Sequence, residues 1–196
     1  KAVVVFLRWS FQESSDRKNT PFMPLQDAAL SGDLEALRDR IERGDDVDGR
    51  EEGRMTPLMW ACYRGHHECA QALINAGAAV DMVDNNGETA LMRACNFGHH
   101  ECALALIFAG AAVDMVDNHG ETALMRACIP GRHECARALI DAHADLELTN
   151  RDGQNALMIA CESPPSYLTQ SQRQGKIRCV LAILAATAPI EVTDFP

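Results

Sequence analysis

Cysteines recur in this chain at a fixed interval. One series comprises Cys62, Cys95, Cys128 and Cys161, each 33 positions after the previous one. A second series, Cys69, Cys102 and Cys135, has the same interval. A period of this length indicates duplicated structural units that pack on one another in a row. Cys179 comes 11 residues later than the second series would place it, which indicates one insertion at residues 162–174.

Five units share this period, and we number them 1 to 5. Their predicted bounds are near residues 21–53, 54–86, 87–119, 120–152 and 153–196. Residues 1–20 match no unit and are predicted to be an N-terminal extension. The insertion in unit 5 is rich in Pro, Ser and Gln, so it is predicted to be a flexible loop.

Each unit carries the same start and stop signals. Thr56 can cap a helix and Pro57 suits its first position, while Gly65 ends that helix. A second helix ends at Gly77, and Asn86-Gly87 is typical of a tight turn. Each unit is therefore predicted to be helix, turn, helix and hairpin. Helices this short bury their apolar faces only against neighbouring units.

These residues resemble the ankyrin repeat. The matching residues are Thr56-Pro57-Leu58, Gly65-His66 and Gly77-Ala78 in unit 2, and Gly87-Glu88-Thr89, Gly98-His99 and Gly110-Ala111 in unit 3. The resemblance extends over residues 21–194. It implies an all-α solenoid of about five units with hairpins projecting to one side, and a concave face that binds other proteins. It also implies that the chain has no catalytic residues and is not an enzyme.

Two positions depart from the ankyrin pattern in the same way in successive units. Met59, Met92, Met125 and Met158 stand where the family has His, which predicts apolar packing instead of hydrogen bonds between hairpins. Cysteines stand at a small alanine position, so they are predicted to be buried, reduced thiols. Zinc binding by Cys62, His66 and Cys69 is the less favoured interpretation, and a disulfide within that unit stays open. No cofactor or metal is predicted.

Candidate contact residues come from positions that vary between the units. In the resembling fold these positions lie on hairpin tips and at the end of the first helix, facing the concavity. The predicted partner-binding residues are Trp60, Tyr63, Arg64, Asn85, Asn86, Glu88, Arg93, Asn96, Phe97, His119, Glu121, Arg126, Ile129, Arg151 and Asp152. Arg93 and Arg126 have two interpretations: ion pairs with Glu88 or Glu121, or recognition of an acidic segment on a partner.

Composition argues against several function classes. The net charge is -10 and no basic cluster occurs, so nucleic acid is not an expected partner. No apolar run approaches the length of a membrane span. Asp81 and Asp84 are interpreted as solvated, turn-forming charges rather than calcium ligands. Reduced thiols predict a cytoplasmic or nuclear location.

The leading hypothesis is a protein–protein interaction scaffold with a protein partner of unknown identity. The alternative is a targeting module of a larger enzyme or channel, for example a ubiquitin-ligase adaptor. Unit 1 has a polar outer face, with Arg38, Asp39, Arg40 and Glu42, as expected at the end of a stack. The last segment stays apolar and no initiator methionine is present, so we expect a piece of a longer protein.

Overall fold

The computed structural model describes residues 23–50, 54–162 and 169–187. Within these ranges the chain forms ten α-helices and one isolated antiparallel bridge between Val116 and Thr122, which confirms the all-α prediction. The predicted N-terminal extension, residues 1–20, lies outside the described residues. The helices are α1 (Leu25–Ser31), α2 (Leu34–Glu42), α3 (Pro57–Arg64), α4 (His67–Asn75), α5 (Ala90–Phe97), α6 (His100–Phe108), α7 (Ala123–Cys128), α8 (His133–Asp141), α9 (Ala156–Cys161) and α10 (Gln170–Thr187).

The helices form two layers. The first helices of successive units, α1, α3, α5, α7 and α9, pack on one another in chain order. The second helices, α2, α4, α6 and α8, form a parallel series, and α10 packs on both α8 and α9. Each unit therefore contacts its neighbours in the sequence, as the repeat period predicts.

The side chain just before each first helix of units 2 to 5 caps the start of that helix. Thr56, Thr89 and Thr122 each accept a hydrogen bond from the amide three residues later, at 3.2, 3.2 and 3.3 Å. Asn155 takes this role in unit 5, where its Oδ1 accepts from the amide of Met158 at 3.0 Å. The predicted threonine caps are thus present, and unit 5 uses an equally good capping residue.

The methionines do more than fill space. Met59 is buried, and its Sδ accepts a hydrogen bond from the Thr56 amide at 3.5 Å. Met92 accepts from the Thr89 amide at the same distance. Sulfur is a weak acceptor, but here it satisfies a helix-start amide that would otherwise be buried without a partner.

Glycine after the first helix makes room for the next unit. Gly65 has φ 79°, and a Cβ there would overlap the imidazole of His99 in unit 3. Gly32 stands in the same relation to His66, whose Nδ1 lies 2.5 Å from the position of the missing Cβ. The Gly-His signature therefore joins consecutive units through a glycine of one unit and the histidine of the next.

The loop predicted for residues 162–174 is wrong for its last part. Residues 170–174 belong to α10, whereas residues 163–168 lie outside the described residues. Thr169 and Gln172 cap the helix reciprocally: the Thr169 amide donates to Gln172 Oε1 at 2.9 Å, and the Gln172 amide donates to Thr169 Oγ1 at 3.2 Å. Gly175 also packs so closely on Gly131 that a Cβ would overlap its carbonyl oxygen. Capping and tertiary packing outweigh the loop-like composition.

A candidate partner-binding face

The predicted contact residues all lie in the first helices or the hairpins that precede them. Three are on α3, three on α5, and Arg126 and Ile129 are on α7 or directly after it. The others lie in the hairpins before α5, α7 and α9. We call this surface the first-helix face, and we define it by Trp60, Tyr63, Arg64, Asn85, Asn86, Glu88, Arg93, Asn96, Phe97, His119, Glu121, Arg126, Ile129, Arg151 and Asp152.

Exposure divides these residues into three groups. The exposed ones are Arg64, Asn85, Asn86, Phe97, His119, Ile129, Arg151 and Asp152. The half-buried ones are Trp60, Tyr63, Arg93, Asn96, Glu121 and Arg126. Glu88 is only 8% exposed, so its side chain is engaged inside the protein and is poorly placed for direct contact.

Aromatic rings from two units form one cluster on this face. Trp60 and Tyr63 of α3 meet edge to face, with ring centroids 6.0 Å apart. Tyr63 meets Phe97 of α5 in the same way at 4.6 Å, and Phe97 stacks on His99 at 6.5 Å. The guanidinium of Arg64 lies 5.3 Å from the centre of the Tyr63 ring. These contacts hold the rings in place, while Phe97 remains 37% exposed.

Charged side chains form a second structure, which we call the ion-pair ladder. Its members are Asp84, Glu88, Arg93, Asp117, Glu121 and Arg126. Arg93 pairs with Asp84 and, at 2.7 Å, with Glu88. Arg126 pairs with Asp117 at 2.5 Å and with Glu121 at 3.0 Å. The ion-pair interpretation of the two arginines is therefore confirmed.

One carboxylate of the ladder contacts both arginines. Glu88 Oε2 contacts Arg93 of its own unit, while Glu88 Oε1 contacts Arg126 of unit 4 at 2.8 Å. The Nε of Arg93 is buried without a hydrogen-bond partner. In unit 4 the Nε of Arg126 instead faces Glu121 and Asp117.

The interpretation of Asp84 as a solvated charge is wrong. Asp84 and its equivalent Asp117 are buried. The amides of Asn86 and Glu88 donate to Asp84 Oδ1 at 2.7 and 3.0 Å, so this side chain organises the hairpin turn as well as the arginine. The sequence contained a signal for this Asp–Arg pair, because one repeat period after Asp117 and Arg126 both residues are replaced, by Asn150 and Ile159.

Burial and pairing shift the pKa values in the ladder. Burial would raise the pKa of Asp117, but the amides of Glu121 and His119 and the Arg126 guanidinium together hold it below its ordinary value. Burial raises the pKa of Glu121 above its ordinary value, because the attraction of Arg126 only partly offsets it. Burial alone would lower the pKa of Arg126, yet its three carboxylate neighbours raise it. Between these two carboxylates, the negative charge of Glu121 is therefore the less well compensated one.

The hairpins are tied to one another by backbone hydrogen bonds. The Asn118 amide donates to the Asn86 carbonyl at 2.9 Å, and the Arg151 amide donates to the His119 carbonyl at 3.0 Å. Asp81, also predicted to be a solvated charge, accepts from the amide of Ala112 at 2.9 Å. These contacts fix the spacing of the tips.

Beneath this face, thiols of different units influence one another. The neighbouring thiol of Cys102 on α6, together with burial, raises the pKa of Cys62 on α3 well above its ordinary value. Cys135 and burial raise the pKa of Cys95 in the same way, as Cys179 and burial do for Cys128. All eight cysteines are free thiols, and seven of them are buried as predicted; Cys161 is exposed.

Comparison with known protein families identifies the architecture. A family model described as ankyrin repeats (3 copies) matches residues 25–117 and again residues 104–194. The chain belongs to the ankyrin-repeat family. A comparison with curated proteins finds no match. Among residues 23–50, 54–162 and 169–187, no three His, Cys, Asp or Glu side chains form a group able to hold a metal ion. None of the helices described is long and apolar enough to cross a membrane.

Proposed function

We propose that this ankyrin-repeat chain binds a partner protein through its first-helix face. Ankyrin repeats are generally protein–protein interaction modules, and proteins built from them are typically non-enzymatic scaffolds. The first-helix face is the one that the family resemblance predicts to be concave. The partner is a protein whose identity the chain does not reveal, and free thiols favour a cytoplasmic or nuclear setting.

The aromatic cluster is the observation that carries this proposal. Trp and Tyr are among the residue types that most often dominate binding energy at protein interfaces. Here Trp60, Tyr63 and Phe97 are packed edge to face and remain partly exposed. Rings that are already held in place lose little conformational freedom when a partner covers them, which favours tight binding.

The ion-pair ladder supports the same proposal through rigidity. Glu88 connects units 3 and 4, and the hairpin-tip hydrogen bonds continue from unit to unit. A face whose spacing is fixed in this way presents contact residues at constant positions. Preorganisation of this kind lowers the entropic cost of association.

Site-specific photo-crosslinking tests the proposal. Phe97 is replaced by p-benzoylphenylalanine, and the chain is irradiated in extract of cells that express it. The expected result is a crosslinked product of defined mass, which disappears when Tyr63→Ala is added. Phe108 is the matched control, because it is a phenylalanine that is 85% exposed but lies at the end of a second-layer helix, α6.

The control decides the interpretation. A crosslinker at position 108 should give little or none of the same product. Equal crosslinking at both positions, or no product at position 97, would contradict binding through the first-helix face. Far-UV circular dichroism of each variant establishes that the repeats remain folded.

A further inference from the structure

An apolar stripe runs along the outer side of α10. Ile177, Leu181 and Leu184 are 52%, 61% and 47% exposed, although all three carry large aliphatic side chains. They are spaced four and then three residues apart, which places them in one row, as in the seam of a coiled coil. Cys179 and Ile183, on the opposite side of the same helix, are buried. The row, which we call the α10 stripe, therefore faces away from the core.

The α10 stripe distinguishes this helix from the other second helices. The position of Leu181 is taken by Arg38 in α2, Gln71 in α4, Leu104 in α6 and Arg137 in α8. Three of these four side chains are polar, and Leu104 is half-buried. The helix is also 18 residues long, whereas α8 has 9. A helix that is apolar on its outer as well as its inner side is normally covered by another protein surface.

Charge is distributed unevenly along the same helix. Its sequence contains Arg173, Lys176 and Arg178, all in the first ten residues, and no acidic residue. Arg178 is exposed, and its Nη1 lies 3.1 Å from Nε2 of His133. Residues 179–187 carry no charge, and the carbonyl end of a helix has a partial negative charge. An antiparallel second copy of α10 would place its basic half beside this end, whereas a parallel copy would bring the two basic halves together.

We propose that two copies of this chain associate through antiparallel packing of their α10 stripes, with Leu181 of each copy against Leu184 of the other. In this register Arg178 lies beside Ala185 of the other copy, where a small, exposed side chain leaves room for it. The neighbouring antiparallel register, which pairs Ile177 with Leu181, would instead bring the two Arg178 side chains together. Repulsion between like charges therefore selects the first register.

This association leaves the first-helix face free. The stripe lies on α10, which packs on α8 and extends the second layer, whereas the first-helix face lies on the other layer. A dimer would therefore present two first-helix faces, and a partner with two binding segments would be held more tightly than by one copy. This consequence rests on the proposed function, whereas the pairing of α10 helices does not.

Sedimentation equilibrium of the full chain tests the association, in reducing buffer because Cys161 is exposed. Between about 1 and about 500 µM, the average mass should rise from the monomer value of 21.4 kDa toward twice that value. A single helix pair is a small interface, so the expected dissociation constant is about 10–100 µM. Leu181→Glu should raise it by more than about tenfold, because a carboxylate would be buried at the interface. Phe108→Glu, at an 85% exposed position on α6, introduces the same charge and should leave it unchanged.

A gain of affinity tests the orientation. Ala185→Glu places a carboxylate beside Arg178 of the other copy in the antiparallel register, so it should tighten the dimer by about three- to tenfold. In a parallel pair, the two new carboxylates would face each other and weaken it. In the Arg178→Gln background the tightening should disappear, because the partner of the new charge is gone. Circular dichroism of each variant checks that the repeats remain folded.

The outcomes separate the dimer from its register and from the proposed function. A mass that stays at 21.4 kDa at the highest concentration would overturn the dimer, and would assign the stripe to residues 188–196 or to a different protein. Equal weakening by Leu181→Glu and Phe108→Glu would overturn it as well. The antiparallel register fails if Ala185→Glu weakens association, or if its tightening persists in Arg178→Gln. The proposed function is decided separately, by photo-crosslinking at Phe97.

Discussion

Units 4 and 5 carry the same two residues in their first helices, yet these residues lie in opposite environments. Met125 is 1% exposed, whereas its equivalent Met158 is 54% exposed. Cys128 is buried and Cys161 is exposed. The difference arises because α9 covers α7, while no first helix of the described chain lies beyond α9. In this architecture the neighbouring unit decides whether a side chain is core or surface.

The same border also changes a charged position into an apolar one, since Arg126 is followed one repeat period later by Ile159. Arg126 lies between carboxylates of its own unit and of the preceding one. At Ile159 the ladder ends, and Asn150 replaces the aspartate at the same step. Core packing and ion pairing both change at the border between units 4 and 5.

Of the substitutions considered, alanine at Met125 and at Met158 should give the largest difference in the free energy of unfolding. Met125→Ala leaves a cavity between α7 and α9, so it is expected to lower the free energy of unfolding by about 2–5 kcal/mol. Met158→Ala removes a largely exposed side chain and should change it by less than about 1 kcal/mol. Urea unfolding followed by circular dichroism measures both values. Equal losses would show that the last unit is covered as well as the inner ones.

Glycine substitution probes the close contact between units 4 and 5. Gly98 and Gly131 are equivalent and both have positive φ, 82° and 75°, so alanine is strained at either position. A Cβ at Gly98 would meet the side chain of Arg132, which can move, whereas one at Gly131 would overlap the Gln172 carbonyl. Gly131→Ala should therefore be less stable than Gly98→Ala by about 1–3 kcal/mol in the same urea experiment. A difference near zero would contradict the tight packing of α10.

Features that depend on residues close together in the chain could be predicted from the sequence. The Thr56 cap and the Gly65 stop correctly bounded α3, because capping is local chemistry. Contacts across units were not predictable in the same way. Glu88 meets Arg126 of the next unit, and because the two residues stand at non-equivalent positions, the repeat period alone does not predict this contact.

Composition also misled where packing decides the outcome. Residues 170–174 look like a loop but extend α10, because Gly175 lies against Gly131. Asp84 looks like a solvated turn residue but is buried between turn amides and Arg93.

Replacing each of the two ladder arginines by methionine should give the smallest difference in the free energy of unfolding. Arg126 has three carboxylate partners and Arg93 has two, so Arg126→Met should be less stable than Arg93→Met by about 1 kcal/mol. Both side chains are partly exposed, and 1 M NaCl should reduce the difference. Urea unfolding at low and high salt measures this. A larger loss for Arg93→Met would mean that the contact between Glu88 and Arg126 contributes nothing.

Thiol labelling of the native chain tests most directly whether a neighbouring unit decides burial. All eight cysteines can be alkylated with iodoacetamide and followed individually by mass spectrometry. Cys161 should be alkylated about a hundredfold faster than its equivalents Cys62, Cys95 and Cys128. Those three thiols are buried, so they react only when the stack opens locally. Comparable labelling of Cys161 and Cys128 in the folded chain would contradict this account.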